Sequence, residues 1–480
     1  MRAAHAVAVV RDAEAALMAT VPPGTLMQRA ATGLARTCAQ LLGPVYGSRV
    51  VLLVGSGDNG GDALYAGARL ARRGARVDAV LLGERVHQGG LAALLRAGGR
   101  AVPAGDEATA LSRVEQADLV VDGIVGIGGS GALRPAAAAL AAAASGAWRV
   151  AVDLPSGVDA DTGHVPGAAF TADVTVTFGT LKPGLLVHPG SAHAGIVELV
   201  DIGLGPWLTG PTALLVPDAE DVAAAWPVPG ADDDKYTQGV VGVAAGSPQY
   251  TGAAVLSVGG AVRSGAGLVR YIGGAADQVR AHWPEVVVNE GRVQAWVVGP
   301  GMGTDAVAAE RLRAVLASDV PVVVDADALT LVAEHQDWVR GRSALTVLTP
   351  HDREFERFGT AVGADRAGAA RALAAGLGAV VLLKSSTTLV AQPDGVVHVN
   401  PTGTGALATG GTGDVLAGVI GRLLAGGLGA LAPVVAAFVH GLAGRLAAEA
   451  GHPVSSGDVL ARLPDAIAAA AGPARDRIGR

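Results

Sequence analysis

The sequence predicts an α/β protein with two domains and mainly parallel sheets. Its 480 residues exceed what one hydrophobic core normally supports, so two domains of roughly 200 to 250 residues are expected. Short runs of Val and Leu alternate with Gly-rich turns and Ala-rich helices, which is typical of parallel strands connected by helices. Hydrophobic residues make up 50% of the chain and charged residues 16%, and this composition suits a packed α/β protein.

Composition and charge exclude several classes of protein. The mean hydropathy is +0.41, but the tract 136–144 is short and nearly all alanine, whereas a membrane span needs about 20 strongly apolar residues. We therefore expect a surface helix there and no membrane partner. A net charge of −7 argues against nucleic acid as a ligand. Cys38 is the single cysteine and no signal-peptide layout follows Met1, so a cytoplasmic protein is expected.

Five strands are predicted in the N-terminal half, with a helix after the first. The strands are predicted at 50–54, 77–82, 119–122, 149–153 and 174–178, and the helix at 61–73. In such a parallel sheet the ligand crevice lies at the carboxyl ends of the strands.

Three oxygen-rich loops follow these strands: GSGDNGGD at 55–62, DGIVGIGGSG at 122–131 and VDLPSGVD at 152–159. Asn59, Asp122 and Ser156 offer hard oxygen ligands suited to a metal cation. The first loop is equally compatible with an Asx-rich turn that caps a helix, and the third with an ordinary turn.

Together these motifs resemble the NAD(P)H-hydrate epimerase family, which has a Rossmann-like αβα fold. The family signature GxGNNGGDG is similar to residues 55–63, and VDxPSG to residues 152–157. The segment LMQRA at 26–30 resembles the family's LMERA, and FGTLKPG at 178–184 its FxxxKxG. The resemblance covers residues 1–215, which we assign to a first domain. Two residues depart from the signature, Asp58 for Asn and Ala63 for Gly, and Asp58 adds negative charge near a phosphorylated ligand.

The resemblance implies roles for named residues. A K⁺ ion would be held by Asn59, Asp122 and Ser156, and Asp153 would be the acid/base that interconverts the C6 epimers. The hydrated nicotinamide nucleotide would contact two segments of the family pattern. They are Asp58, Asn59, Gly60, Gly61 and Asp62 in the first loop, and Gly126, Ile127, Gly128, Gly129, Ser130, Gly131 and Ala132 in the second.

Proline clusters without periodicity predict a linker at 216–231, followed by a second domain at 232–480. Its start predicts a strand at 240–245 and a helix at 253–264. Asp325 and Asp327 end a Val-rich strand, where either a carboxylate for phosphate-bound Mg²⁺ or a helix cap is expected.

The segment NPTGTGALATGGTGD at 400–414, followed by the apolar run 415–420, predicts a phosphate site. A Gly-rich turn that leads directly into a helix directs backbone N–H groups and the positive helix end at one point. Asp414, in the first turn, is placed to take a proton from a hydroxyl beside a bound phosphate.

His351 in TPH (349–351) is a ligand candidate or a structural histidine. Lys384 is followed by four hydroxyl residues at 385–388. This segment is suited to binding a diphosphate, or it forms a solvent-exposed turn after an edge strand.

These features resemble the ribokinase-like superfamily, and within it the ADP-dependent NAD(P)H-hydrate dehydratase. The family element GTGDVLAGxI is reproduced at 411–420, while its KG is Lys384-Ser385 here and its TGN is 402–404, ending in Thr404. The resemblance implies that Asp414 is the catalytic base and that Ala253, Gly301 and His351 contact the hydrate. ADP would contact Lys384, Ser385, Ser386, Thr387, Thr388 and Gly413.

Both halves therefore predict action on one metabolite, hydrated NADH or NADPH, with ADP, Mg²⁺ and K⁺. Two alternatives stay open: a ribokinase-like small-molecule kinase, and an N-terminal domain that only binds. The sequence does not determine the oligomeric state, and it is compatible with a homo-oligomer.

Overall fold

The computed structural model describes residues 1–83, 85–103 and 105–472. The chain divides into two compact units. One comprises Ala3–Ala213, and the other comprises Met1–Arg2 together with the chain from Leu214 onwards.

The first unit alternates strands and helices along the chain. Its strands, with β1 at the division between units, are β1 (Arg2–Ala4), β2 (Arg49–Val54), β3 (Arg76–Leu81), β4 (Arg100–Pro103), β5 (Leu119–Gly123), β6 (Trp148–Val152), β7 (Val174–Phe178) and β8 (Ile196–Val200). Its helices are α1 (Val7–Met18), α2 (Thr25–Leu42), α3 (Asp58–Arg72), α4 (Gln88–Arg96), α5 (Glu107–Glu115), α6 (Pro135–Ala143) and α7 (Ser191–Ala194).

The sheet of this unit has the order β4-β3-β2-β5-β6-β7-β8, and each neighbouring pair is parallel. The prediction of a parallel sheet is confirmed, and the five predicted strands coincide with β2, β3, β5, β6 and β7 to within a residue at each end. The edge strands β4 and β8 were not predicted.

Alternation along β2 shows why helices cover both faces of the sheet. Val50, Leu52 and Val54 pack with α1 to α4 in one core, whereas Val51 and Leu53 pack with α5 and α6 in another. Successive side chains of a strand point to opposite faces, so an apolar run without polar breaks requires cover on both sides. The unit is therefore a three-layer αβα sandwich, as predicted.

The second unit repeats this alternation with more elements. Its strands are β9 (Leu214–Val216), β10 (Val240–Ala244), β11 (Leu268–Ile272), β12 (Ala295–Val298), β13 (Val322–Val324), β14 (Thr346–Leu348), β15 (Val380–Leu383), β16 (Leu389–Ala391) and β17 (Val397–Val399). Its helices are α8 (Ala219–Ala225), α9 (Thr251–Arg263), α10 (Ala276–His282), α11 (Ala306–Leu316), α12 (Asp327–Glu334), α13 (Asp352–Glu356), α14 (Arg366–Leu377), α15 (Thr412–Ala425), α16 (Ala432–Ala447) and α17 (Ser456–Ala471).

From β9 onwards the sheet of the second unit has the order β9-β17-β16-β15-β14-β13-β12-β10-β11. The pairs from β11 to β15 are parallel, and β16 is antiparallel to both of its neighbours. Part of the segment predicted as a linker is regular structure here, because Val216 ends β9 and α8 follows it with a capping box at Asp218. The second unit thus begins at Leu214, ahead of the predicted linker.

Helix α15, which begins at the predicted phosphate site, packs closely against α9. A Cβ on Gly418 would overlap the backbone carbonyl oxygen of Ser257, and one on Gly260 would overlap that of Val415. Both glycines therefore allow the two helix backbones to approach each other more closely than any side chain would permit. This contact fixes the position of the N-terminus of α15.

Within the described part of the chain, the segment Gly429–Ala447 is long and apolar enough to cross a membrane by length and composition alone, with a mean hydropathy of 1.5. Of this segment, 67% is buried inside the protein, and the buried core helix of a globular protein can have the same length and apolar composition. The tract predicted as a surface helix is α6, which buries only Ala137 and Leu140.

We predict that Gly418→Ala lowers the free energy of unfolding by about 1 to 3 kcal/mol, because the added methyl group forces α15 away from α9. Gly376→Ala on α14 is the matched control. A Cβ there meets no atom, so this variant should be neutral or more stable by up to about 1 kcal/mol. Denaturant unfolding of both variants is the measurement, and equal stability of Gly418→Ala and the unmodified chain would contradict the close-packing argument.

Candidate active sites

A buried ion pair lies at the end of β6 in the first unit. Asp153 is 6% exposed, and its Oδ1 accepts hydrogen bonds from Lys182 Nζ at 2.6 Å, Thr177 Oγ1 at 3.1 Å and the Phe178 backbone N–H at 3.4 Å. Lys182 Nζ also donates to Thr177 Oγ1 and to the Phe178 carbonyl. Every ammonium hydrogen thus has an acceptor, and the charge of Asp153 is held by a fixed partner. Its role as an acid/base stays a prediction.

The backbone of Asp153 has φ = 65°, which is rare for a residue other than glycine. Such a conformation costs about 1 to 3 kcal/mol and persists where the surroundings enforce it. Here the Lys182 ion pair and the hydrogen bond from the Asp153 N–H to the Val176 carbonyl supply that constraint.

Asp122 and Ser156, two of the three predicted K⁺ ligands, are joined directly. The Asp122 carboxylate is fully buried and accepts from Ser156 Oγ at 2.7 Å and from the Ser156 backbone N–H at 2.8 Å. Ser156 Oγ also accepts from the Val125 N–H at 3.0 Å. Burial raises the pKa of Asp122 to about 6, although the hydrogen bonds from Ser156 lower it. A cation nearby would stabilise the ionised form.

Asn59, the third predicted ligand, keeps its amide oxygen available. Its Nδ2 donates to the Val152 carbonyl at 2.6 Å, and a Cβ on Gly126 would overlap Asn59 Oδ1. Gly126 follows Val125 by one residue, so the amide oxygen lies beside the loop that contacts Ser156. The structure therefore brings neutral oxygens and one carboxylate together, a donor set that fits K⁺.

A cavity of about 540 Å³ opens beside these loops, bordered by Asp58, Asp62, Met27 and Phe178. Asp62 is 7% exposed, its Oδ1 has no hydrogen-bond partner among the described residues, and burial raises its pKa well above the usual range. Two residues predicted to bind substrate thus line the cavity. The segment 126–132, Asp153 and the predicted cation ligands are not part of its lining.

In the second unit, a buried network joins the ends of three parallel strands. Asp325, after β13, is 1% exposed, and its Oδ1 accepts from Thr349 Oγ1 at 2.7 Å and Lys384 Nζ at 2.9 Å. Thr349 follows β14 and Lys384 follows β15. Burial lowers the pKa of Lys384, but the carboxylates of Asp325 and Glu354 outweigh it and raise the pKa overall. The side chain stays 21% exposed, so this lysine can still contact a ligand.

The N-terminus of α15 meets this lysine. A Cβ on Gly413 would lie 3.5 Å from Lys384 Nζ, so the first turn of α15 and the ammonium group face the same space. Thr412 Oγ1 donates to the carbonyls of Leu407 and Thr409 and holds the preceding loop in place. Backbone N–H groups and a lysine therefore converge, as an anion site requires.

Asp414, the predicted base, lies in the first turn of α15. Burial and then the negative charge of Asp325 raise the pKa of Asp414 to about 7, although Lys384 acts in the opposite direction. A carboxyl group with a pKa near neutrality is well matched to general-base catalysis.

His351 begins α13 in a capping box with Glu354. Its Nδ1 accepts from the Glu354 N–H at 3.2 Å, while Glu354 Oε2 accepts from the His351 N–H at 2.9 Å. With Nδ1 as acceptor, the proton of the neutral ring lies on Nε2, which remains a donor for a ligand. The side chain is half exposed, and its Nε2 lies 3.7 Å from Glu354 Oε2, beyond hydrogen-bond distance, so His351 has a structural role and can still donate from Nε2 to a ligand.

One cavity of about 580 Å³ brings most of the predicted dehydratase residues together. Its lining includes His351, Lys384, Ser385, Ser386, Thr388, Gly413 and Asp414. Ser385, which replaces the family's glycine, donates from Oγ to the Thr387 carbonyl at 2.8 Å and closes a turn that leaves Thr387 outside the lining. Ala253 and Gly301 also lie outside it, but they meet each other, since a Cβ on Gly301 would be 2.8 Å from that of Ala253.

Three ionisable residues of the cavity lining were not assigned to the site from the sequence. Asp325 was predicted only as a metal carboxylate or helix cap, and Glu354 was given no role. His440, on the apolar helix α16, gave no signal at all. It is 6% exposed, and burial lowers its pKa to about 4. By contrast, Asp327 accepts from the Gly303 N–H at 2.9 Å and lies outside the lining.

No group of three or more His, Cys, Asp or Glu residues in the described ranges is arranged to hold a metal ion. A Mg²⁺ ion at Asp325 would therefore take most of its ligands from phosphate oxygens and water, which is usual for this ion.

Comparisons with known proteins give a family for each half of the chain. Residues 241–464 match the family model described as NAD(P)H-hydrate dehydratase, and residues 23–184 match the one described as YjeF-related protein N-terminus. A bifunctional NAD(P)H-hydrate repair enzyme Nnr from Mycobacterium leprae is 54% identical over 422 residues, which cover 85% of this chain and 86% of that protein. The protein of the same name from Mycobacterium tuberculosis is 53% identical over the same shares.

Among solved structures, a ribokinase-like superfamily protein from Enterococcus faecalis is 27% identical, with a TM-score of 0.51. The match covers 54% of this chain and 97% of that protein. The predicted ribokinase-like fold of the second half is confirmed.

We predict that Lys182→Met lowers the free energy of unfolding of the first unit by about 3 to 5 kcal/mol, because it leaves the Asp153 carboxylate buried without its partner. The double variant Lys182→Met/Asp153→Asn removes both charges and should recover much of that loss. Hydrogen exchange of first-unit amides in the intact chain measures both, and Arg73→Met, at the exposed position directly after α3, is the control. A double variant less stable than Lys182→Met would contradict the pairing argument.

Proposed function

This chain belongs to the family of bifunctional NAD(P)H-hydrate repair enzymes, and from that premise we propose how its two sites divide the repair. The first unit interconverts the R and S epimers of hydrated NADH or NADPH at C6. The second converts the S hydrate back to NAD(P)H and turns ADP into AMP and phosphate. The observation that carries this proposal is the position of Asp414, a base with a pKa of about 7 beside Lys384 and the N-terminus of α15.

A phosphoryl group solves the chemical difficulty of the dehydration. Hydroxide leaves C6 poorly, whereas phosphate leaves well. Asp414 takes the proton of the C6 hydroxyl, whose oxygen attacks the terminal phosphorus of ADP as the bond to AMP breaks. The lone pair of the ring nitrogen then expels phosphate, and loss of a proton from C5 restores the double bond. No electrons are gained or lost.

Lys384 and the N-terminus of α15 stabilise the charge that develops during this transfer. Phosphoryl transfer depends mainly on positioning and on electrostatic stabilisation of the phosphate oxygens. Lys384 is held by Asp325 and Glu354, so its ammonium group is already in place before the nucleotide binds. Ser385, Ser386 and Thr388 add hydroxyls along the same wall, and Thr387 flanks them. Mg²⁺ bound to the nucleotide would neutralise phosphate charge next to Asp325.

On the substrate side, His351 donates from Nε2 to the hydrate, and Ala253 with Gly301 forms a small-residue surface for the nicotinamide half. Neither residue of that surface carries a bulky side chain, which suits close approach of a ring.

In the first unit, the reaction at C6 is either reversible ring opening or loss and return of the hydroxyl. In ring opening the hydroxyl oxygen forms a carbonyl at C6 and the ring nitrogen leaves with the electron pair of the C–N bond, whereas in hydroxyl loss the nitrogen lone pair forms the C=N bond. In both cases Asp153 exchanges the hydroxyl proton. Asn59, Asp122 and Ser156 would hold K⁺, which supplies fixed positive charge near the bound nucleotide. The loops 58–62 and 126–132 contact the nucleotide through their backbone groups. The carboxylate of Asp58 disfavours phosphate nearby, so the phosphates lie closer to 126–132.

Incubating the intact protein with both epimers of hydrated NADPH and with ADP tests the proposal. The near-ultraviolet absorbance of reduced nicotinamide should return for both epimers, and AMP should form in equal amount. If no NADPH is recovered with either ADP or ATP, the proposal is wrong and a small-molecule kinase becomes the better interpretation. Recovery of one epimer alone would assign the first unit a binding role.

We predict that Asp414→Asn lowers kcat for dehydration by at least about 100-fold while ADP still binds, because the amide cannot take the proton. Calorimetric titration with ADP separates binding from turnover, and Glu356→Gln on the exposed end of α13 is the control.

The pH dependence of the unmodified protein follows from the same carboxyl group. A base must be ionised, and the pKa of Asp414 is about 7, so kcat/KM for the S hydrate should fall as the pH drops below 7. A rate that stays level from pH 8 to about pH 5 would contradict the assignment, as would turnover in Asp414→Asn.

A further inference from the structure

The cavity of the first unit contains a carboxylate that belongs to none of the sequence motifs. Glu14 is half-buried on α1 and lines the cavity together with Asp58 and Asp62. Helix α1 precedes every strand-end loop discussed above, so this residue reaches the cavity from an independent element. Met18, one turn further along α1, lines the same wall.

Asp62 provides separate evidence that this cavity receives a polar ligand. Its side chain is more than nine-tenths buried, it lines the cavity, and its Oδ1 has no hydrogen-bond partner among the described residues. An orphaned carboxyl oxygen of this kind is costly unless a ligand or water completes it.

Epimerisation at C6 requires proton exchange with a hydroxyl on either face of the ring. Asp153 is fixed at the end of β6 by Lys182, Thr177 and Phe178, and it lies outside the cavity lining. A carboxylate fixed in this way can serve only one face. The second face needs a proton-transfer group on another element. Glu14 lies on α1, lines the cavity, and is close enough to Asp153 and Lys182 for both charges to act on it.

The charges around Glu14 allow it to carry a proton. Burial raises the pKa of Glu14, Lys182 lowers it, and Asp153 and Asp58 raise it further. The ionisable groups that face Glu14 or share its cavity are Arg11, Asp58, Asp62, His87, Asp153 and Lys182.

We propose that Glu14 is the second proton-transfer residue of the epimerase site and acts on the face of C6 opposite to Asp153. This inference rests on the epimerase activity proposed above. Glu14 protonates the C6 hydroxyl as the C–O bond breaks, and the lone pair of the ring nitrogen forms the C=N bond. Water adds from the other face and gives its proton to Asp153. Asp153 then releases its proton to solvent and Glu14 takes one up, which restores both groups for the next turnover. The reverse reaction exchanges the two roles, and no net oxidation occurs.

The variant Glu14→Gln tests this in the intact chain, with both epimers and ADP present. The S hydrate should disappear at the unmodified rate, because the dehydratase residues are unchanged. The subsequent phase, in which the R hydrate is consumed, should slow by at least about 100-fold after subtraction of the rate without protein. That loss should appear in kcat, with little change in KM.

Two further variants distinguish proton transfer from a structural role. Asp12→Asn, at an exposed position of the same helix, should leave both phases unchanged, whereas Glu14→Asp should recover part of the R phase with an altered pH profile. An unaltered R phase in Glu14→Gln, a loss confined to KM, or a Glu14→Asp variant as slow as Glu14→Gln would each overturn the proposal. If the unmodified protein fails to consume the R hydrate, the epimerase assignment itself is wrong.

Discussion

A buried lysine–aspartate pair at the carboxyl end of a parallel sheet is the interaction on which each site depends. In the first unit it joins Lys182 to Asp153, and in the second it joins Lys384 to Asp325. A buried charge without a partner is strongly unfavourable, so each pair fixes the strand ends that carry it. Next to each pair lies a non-glycine residue with positive φ, Asp153 itself and Ala326. The strained backbone therefore occurs where the surrounding contacts can enforce it.

The two pairs differ in how far the lysine is open to a ligand. Lys182 is 1% exposed and uses all its hydrogens within the protein, so it holds the Asp153 carboxylate in place and has no hydrogen left for a ligand. Lys384 is 21% exposed and faces the first turn of α15, so it can add a phosphate oxygen to its carboxylate partners. In our proposal the same kind of pair therefore supports Asp153 in one site and contacts the nucleotide in the other. This difference fits epimerisation, which moves protons, and dehydration, which moves a phosphoryl group.

The sequence predicts the local features of this protein better than its long-range contacts. The strands β2, β5 and β7 are apolar runs bounded by motif loops, and their positions follow from composition alone. The edge strands β4 and β8 are missed because they carry exposed and charged residues, as Glu198 in β8 shows. The contact of Lys384 with Asp325 joins residues 59 positions apart, and no spacing rule connects them. Likewise, neither Glu14 nor His440 lies near a motif, so only the folded chain assigns them to cavities.

The raised pKa of Asp414 couples its function to stability. Burial and Asp325 favour the protonated form in the folded protein, whereas the unfolded chain ionises near the ordinary value of about 3.9. Between that value and about 7 the unfolded state therefore releases its proton first, and the contribution of Asp414 to stability falls as the pH rises. At neutral pH the folded protein thus tolerates an unfavourable carboxylate at the position that we propose for the base. Lys384 limits the penalty, because its charge lowers the pKa of Asp414. The lysine that would bind phosphate thus also keeps the base available.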